Sequence, residues 1–422
     1  MKATNATSLS LQLRLAKLGA GFNALRYRNY RLYWVGQLIS IIGTWMQSTA
    51  QAWLVFQMTG SAFSLGLVTT LQFLPVMLFS LIGGVIADRL PKRRLMMITQ
   101  SLLLIQAAIF GGLVASGAIQ IWHIYLLAAL QGMVNVVDNP ARQAFPIELV
   151  AREDTGNAVA LNSMLFNGAR IIGPAIAGIV IATAGVAPAL FLNAVSFVAV
   201  IFALAMMNPK GFYVRPVRQK QAALSDLVEG LSYARRSTVV LTILIVIGVI
   251  GTFGYNFSTV LPLIGGFVLH TGAAGFGALS TALGIGSFAG ALFVAYARNI
   301  SIRRLFIGST AFSLLLGALS LSNAFILSEG ILIVLGFAGI LFTTTANTLL
   351  QTSVPDELRG RIMSLYVLLF IGSTPIGAFL TGTLATAIGV QAALAIEAGV
   401  CIIGLAIALV YYRTHIARTQ PS

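Results

Sequence analysis

The sequence predicts an all-α membrane protein: twelve transmembrane helices in two pseudo-symmetric six-helix bundles. Three observations carry this reading. Of 422 residues, 58% are hydrophobic and only 9% are charged. A soluble domain carries about 25% charged residues, so this chain cannot present a solvated surface on every side. Its apolar residues fall into twelve runs of membrane length. And 25 of its 26 Lys and Arg lie in the termini and alternate connections, while the remaining connections hold none. Loops retained in the cytoplasm show this bias, and one missed helix would scramble it.

The elements follow in order. Residues 1–31 are a polar, basic cytoplasmic tail without the apolar core of a signal peptide. Within it, Arg26-Tyr27-Arg28-Asn29-Tyr30-Arg31 reads as an interfacial lead-in. The first bundle, 32–207, takes helices at 32–56, 64–87, 95–117, 121–141, 157–184 and 187–207, with Pro140 and Pro146 ending the fourth. A cytoplasmic linker, 208–237, follows. Its stretch 222–236 can form a surface helix with Leu224, Leu227, Leu231 and Tyr233 as the apolar face. The second bundle, 238–412, takes helices at 238–263, 275–297, 303–323, 330–352, 361–386 and 390–412, before a cytoplasmic tail at 413–422. Both termini then lie on the cytoplasmic side of the membrane.

The two bundles echo each other. Residues 178–186 resemble 382–390, each ending Gly-Val; 139–149 resemble 347–358; Arg93-Arg94-Leu95 resembles Arg303-Arg304-Leu305. Two copies in the same orientation is the implied arrangement.

Several function classes fall away. A formal charge of +15 fits nucleic acid, but the cations sit in short clusters between apolar runs. Cys401 is the single cysteine and lies in an apolar run, so neither a disulfide framework nor a Cys-based metal site is expected. His123, His270 and His415 lack ligand spacing, and no P-loop is present. The chain therefore reads as neither an enzyme nor an ATPase, without a cofactor, and its energy would come from an ion gradient.

The stretch 84–94 organises the first bundle. An apolar run ends at Gly84 and Asp88, and Arg89, Lys92, Arg93 and Arg94 follow at once. This G-x-x-x-D-R-x-x-(K/R)-R-R spacing resembles the loop between helices 2 and 3 of the major facilitator superfamily. Pro91 stands where that family usually has Gly and stiffens the turn. Gly84 would admit a neighbouring helix, Asp88 would hold an Arg or a helix N-terminus, and the cations would anchor at lipid headgroups. A generic positive-inside loop is the plainer alternative. Asn135, Asp138 and Arg142 share one face of helix 4 near its inner end. The resemblance implies that this cluster, with Asp88, latches the two halves in the outward-facing state; a structural ion pair weighs equally. Further on, Gly173-Pro174-Ala-Ile-Ala177-Gly178 resembles the G-P-x-x-G-G motif of the superfamily's antiporters, with Ala177 replacing one glycine. In that family the motif accompanies export.

Arg170 is the one cation outside the inner segments. A charge at that depth costs about 3 kcal/mol or more, so it must face a wet cavity or a partner. It reads as a contact for substrate or coupling ion, against the alternative of satisfaction by backbone carbonyls and Asn167. Glu397 reads as structural, since helix 12 is peripheral in the fold the chain resembles. Further cavity candidates, from helices that line the path in that superfamily, are Trp45, Gln47, Gln51, Gln72, Tyr255, Asn256, Asn347, Tyr366 and Phe370. Amides and aromatics suit a bulky amphipathic molecule; simple packing is the alternative for each.

The lead-in Arg28-Asn-Tyr-Arg-Leu-Tyr-Trp34, the stretch Gly43-Thr-Trp-Met-Gln47 and Asp138-Asn-Pro-Ala-Arg142 are similar to the branch of bacterial drug, macrolide and siderophore exporters. The resemblance implies a monomeric, proton-coupled exporter of small organic molecules, working in a lipid bilayer by alternating access, with no nucleic-acid partner. Solute uptake or lipid flipping by the same fold, or a receptor-like relative that transports nothing, are the alternatives.

Overall fold

The structure, a computed structural model, describes residues 22–213, 223–296 and 300–419. The tail before residue 22, the linker stretch 214–222 and the side chains of Leu224 and Leu227 lie outside the described part. All regular structure described is helical. In lipid, backbone N–H and C=O groups must find partners within the chain, and a helix supplies them along its whole length. Helix starts follow local chemistry. The hydroxyls of Ser61, Ser237 and Ser301 accept from the N–H groups of Ser64, Val240 and Arg304.

In chain order the helices are α1 (Arg28–Thr59), α2 (Ala62–Arg89), α3 (Lys92–Ala115), α4 (Ile121–Glu148), α5 (Thr155–Ala184) and α6 (Val186–Ala205). A surface helix, α7 (Ala223–Arg236), follows. Then come α8 (Thr238–Phe253), α9 (Phe257–Leu263), α10 (Gly272–Tyr296), α11 (Ile302–Ser320), α12 (Phe325–Ser353), α13 (Asp356–Phe370), α14 (Thr374–Ile388) and α15 (Val390–Thr419). Among the described residues, eleven stretches are long and apolar enough to cross a membrane. The 32-residue α1 is not one of them. Gln37, Ser40, Gln47, Thr49 and Gln51 dilute its apolar character, and all five are buried against the protein.

Three sequence expectations need correction. The helix expected at 238–263 is broken at 254–256, between α8 and α9, and a π turn follows at Ile264–Val268. The helix expected at 361–386 begins at Asp356 and is interrupted at 371–373. The two breaks are neighbours: Gly251 lies against the Leu369 carbonyl and Phe370, and Gly377 lies under the Thr252 carbonyl. Conversely, Pro140 and Pro146 do not end α4, which runs on to Glu148. Each proline frees the carbonyl four residues before it, and each freed carbonyl is met from another helix. Tyr33 Oη donates to the Arg142 carbonyl at 3.0 Å, and Gly83 of α2 crosses directly over the Val136 carbonyl.

Helices α1 to α6 pack chiefly on one another: α1 on α5 and α6, α2 on α4, α3 on α4 and α6. Helices α8 to α15 do likewise, α10 and α11 on α12, and α15 on α8, α11 and α14. The joints at the echoed glycines match: Gly185 and Gly389 both have φ +88°, a conformation that favours glycine. The start of the chain is clasped to α5, with Arg26 paired to Asp154 at 2.7 Å and the Ala24 N–H donating to Asn157 Oδ1 at 2.8 Å. Surface helix α7 rests on α13, where Glu229 pairs with Arg361.

Candidate functional site

Two long contacts join the halves, α5 with α10 and α2 with α14. Both lie toward the end opposite the basic loops, and both use glycine. A Cβ on Gly277 would stand 2.8 Å from Gly178 Cα; a Cβ on Gly66 would stand 2.5 Å from the Ala378 carbonyl and 3.0 Å from Gly382 Cα. Only glycine lets two helix backbones touch this closely. Around these crossings the Phe63 N–H donates to Thr386 Oγ1 at 2.9 Å, Thr70 Oγ1 donates to the Pro375 carbonyl at 3.0 Å, and Trp53 stacks on Phe276. Toward the basic end the halves part. There α13 packs chiefly on α8 and α12 of its own half and on the surface helix α7.

Arg170 stands where the seam gives way to this cleft. Pro174 frees the Arg170 carbonyl, and Gly284 of α10 approaches that oxygen. The guanidinium carbon lies 5.7 Å from the centroid of the Trp45 ring, a cation–π contact. Phe166, one turn earlier on α5, meets Trp45 edge-on at 6.0 Å. On the other side of the cleft Tyr255 sits in the break between α8 and α9, within electrostatic reach of Arg170. It meets Phe370 at 5.0 Å and stacks on Phe312 at 5.2 Å; Tyr366 stacks on Phe370 at 5.9 Å. Asn347 takes a hydrogen bond from Gln351 and lies within hydrogen-bonding reach of the Tyr366 hydroxyl. The result is one fixed cation facing aromatic and amide surfaces from both halves.

Trp45, Arg170, Tyr255, Asn347, Tyr366 and Phe370 therefore come together. Asn167 lies on the same helix and spends its amide on the Ser163 carbonyl. Four other candidates, Gln47, Gln51, Gln72 and Asn256, point elsewhere. Gln47 donates to Gln106 and accepts from Asn193, deep between α1, α3 and α6. Gln51 donates to Gln72, an α1–α2 contact. Asn256 is buried in the helix break, donating to the Thr252 carbonyl. Phe166 and Phe312 were not singled out from the sequence. The four-residue spacing from Phe166 to Arg170 was a usable signal; for Phe312, on a helix outside the expected lining set, there was none.

The basic-loop motif closes on itself within the first half. Asp138, fully buried, accepts from Thr99 Oγ1 at 2.5 Å, Gln100 Nε2 at 2.9 Å and the Arg142 guanidinium. Lys92 pairs with Glu148 at 2.7 Å, and Arg93 caps α6 through the Leu204 and Ala205 carbonyls. Lys92 and Arg93 thus hold protein groups, while Arg89 is exposed. Gly84 has open space above it; its neighbour Gly83 is the close-approach glycine.

A family model described as a transmembrane secretion effector of the MFS type matches residues 19–420. The chain belongs to that family, a branch of the major facilitator superfamily. It is 28% identical over 365 residues to the staphyloferrin A transporter of Staphylococcus aureus, covering 85% of this chain and 90% of that one. Identity to the multidrug efflux pump Tap of Mycolicibacterium fortuitum is 28%, covering 83% and 87%. Identity to the enterobactin exporter EntS of Citrobacter koseri is 26%, covering 96% and 95%. In fold it is similar to a bacterial homologue of the lysosomal transporter Spinster, with a TM-score of 0.71 at 12% identity over 93% of this chain and 98% of that chain. The family is one of transporters, not enzymes, and the chain is a multi-pass membrane protein.

Proposed function

We propose that this transporter exports small organic molecules by alternating access in exchange for protons. The observation that carries the reading is Arg170, held over Trp45 at the head of a cleft whose opposite wall is Tyr255, Tyr366 and Phe370. A guanidinium among aromatic faces binds an anionic group attached to an aromatic or amphipathic body. Relatives named for a siderophore and for multidrug efflux support substrates of that size. The glycine seam at one end and the parted halves at the other support a carrier open toward its basic side.

The remaining parts of the reading follow from the same features. The 32-residue α1 is long enough to span, at about 1.5 Å per residue, with its polar stripe turned inward. Twelve spans in two bundles, 32–207 and 238–412, joined by the 208–237 linker, then bring both termini to the cytoplasmic side of the inner membrane. Within this scheme the Asp88, Asp138 and Arg142 cluster acts at the basic end and Gly173, Pro174 and Gly178 on the opposite seam. The carrier works as a monomer without a cofactor. The test is uptake of carboxyfluorescein into inverted vesicles energised by an inside-acid pH gradient. Uptake that collapses with the gradient and is lost in Arg170→Ala supports the reading; gradient-independent accumulation overturns it.

A further inference from the structure

Among the described residues three carboxyls are buried: Asp138, Asp154 and Glu397. The first two face Arg142 and Arg26. Glu397, only 1% exposed, faces no cation in the described part. Its helix, α15, packs on α8, α11, α14 and the π turn 264–268. Helices α8 and α14 and the π turn contain no ionisable residue; α11 contains only Arg303 and Arg304, at its basic-end start. Cys401, one turn along α15, is the other titratable group there; Tyr411, Tyr412, Arg413, His415 and Arg418 lie further toward the basic end. A carboxylate in such a place lacks both water and a counter-charge, so the neutral acid is the form that fits.

A peripheral last helix makes Glu397 structural by default, but its hydrogen bond ties it to the seam. Thr381 Oγ1 of α14 donates to Glu397 Oε1. The next residue, Gly382, is pressed against Gly66 of α2 in the seam. The Glu397–Thr381 bond therefore lies directly behind one of the two contacts that close the non-basic end. A depression of about 620 Å³ opens at that end, lined by Ala385, Gly389 and Gln391 among others. Ala385 is one turn of α14 from Thr381, and Glu397 lies seven residues, about 10 Å, from the start of α15.

We propose that Glu397 is the coupling carboxyl: it takes up a proton from the non-basic side, and only then can the α2–α14 seam close. The step moves one proton from water on the non-basic side to a carboxylate oxygen, and before the seam reopens that proton is given up to water on the basic side. Its sign matches antiport. A carrier that has released substrate outward returns after protonation, and loss of the proton favours reopening. The inference rests on the proton-exchange reading above.

Spin labels at Met58 and Ile388, both exposed at the non-basic end, report the seam without any substrate. In otherwise native protein the long-distance population should grow as pH rises. In Glu397→Gln, which mimics the protonated acid, it should stay small at every pH; Glu397→Asp should keep a pH response and so control for folding. A Gln variant that responds like the parent, or a parent with no response, overturns the proposal. Carboxyfluorescein uptake separates the two readings. No proton-driven uptake by the native carrier sinks the export reading itself; native uptake left intact by Glu397→Gln sinks only the role of Glu397.

Discussion

Gly277→Ala isolates the α5–α10 crossing. The added Cβ would stand 2.8 Å from Gly178 Cα and 2.8 Å from the Pro174 carbonyl, where ordinary contact begins at 3.4 Å. The shortfall is 0.6 Å against backbone atoms on the facing helix, which cannot swing aside as a side chain could. Overpacking of this kind costs about 1–3 kcal/mol. The strain exists only while the seam is closed, so it moves the equilibrium toward the form in which α5 and α10 separate, by roughly 5- to 150-fold. The assay is labelling of a cysteine at Ala62, buried beside the Gly66–Gly382 crossing, by a membrane-impermeant maleimide. Labelling should accelerate in Gly277→Ala. Gly399→Ala, where a Cβ meets nothing within 4 Å, should leave it unchanged. A folded Gly277→Ala protein that labels at the parent rate would refute the assignment of this crossing as a moving contact.

Four further outcomes are expected. Arg170→Ala should abolish export while the protein still inserts, and Arg170→Lys should keep part of it, since it retains the charge but not the planar fork; vesicle uptake reads both. Tyr33→Phe strands the Arg142 carbonyl that Pro146 frees, so thermal denaturation in detergent should show a loss of about 1–3 kcal/mol. Asp88→Asn should slow transport without lowering the yield of folded protein; a normal turnover number argues against the latch. A cysteine at Asn323 should react with an external thiol reagent and one at Lys210 should not; the opposite pattern inverts the topology.

The fold was largely legible because membrane insertion writes itself into composition. Apolar run length and one-sided cations are physical requirements of the bilayer, and helix boundaries fell close to the expected ones. The breaks at 254–256 and 371–373 were not legible. Each lies inside a long, mostly apolar run, and the two pack against each other; Pro375, at the start of α14, marks only the second. Prolines misled in the opposite sense, since Pro140 and Pro146 are carried by Tyr33 and Gly83, partners more than 50 residues away in sequence. For the site, a lone mid-membrane Arg was a strong signal because its cost is so high. Amides were weak signals: Gln47 bonds Gln106 and Asn193, and Gln51 bonds Gln72, inside the first half, and nothing in their spacing separates that use from a place on a cavity wall.

The matched joints at Gly185 and Gly389 bear on the likeness of the two halves. Side-chain similarity between the two halves has decayed to fragments, yet both corners keep the same dihedral at the same place in the helix order. A side chain can be exchanged in small steps, but a backbone angle open almost only to glycine offers no intermediate. Such corners resist exchange in both places, while the surfaces between them differ: the first half carries the full basic turn and the second the aromatic wall. The likeness of the two halves is therefore carried by their corners rather than by their site.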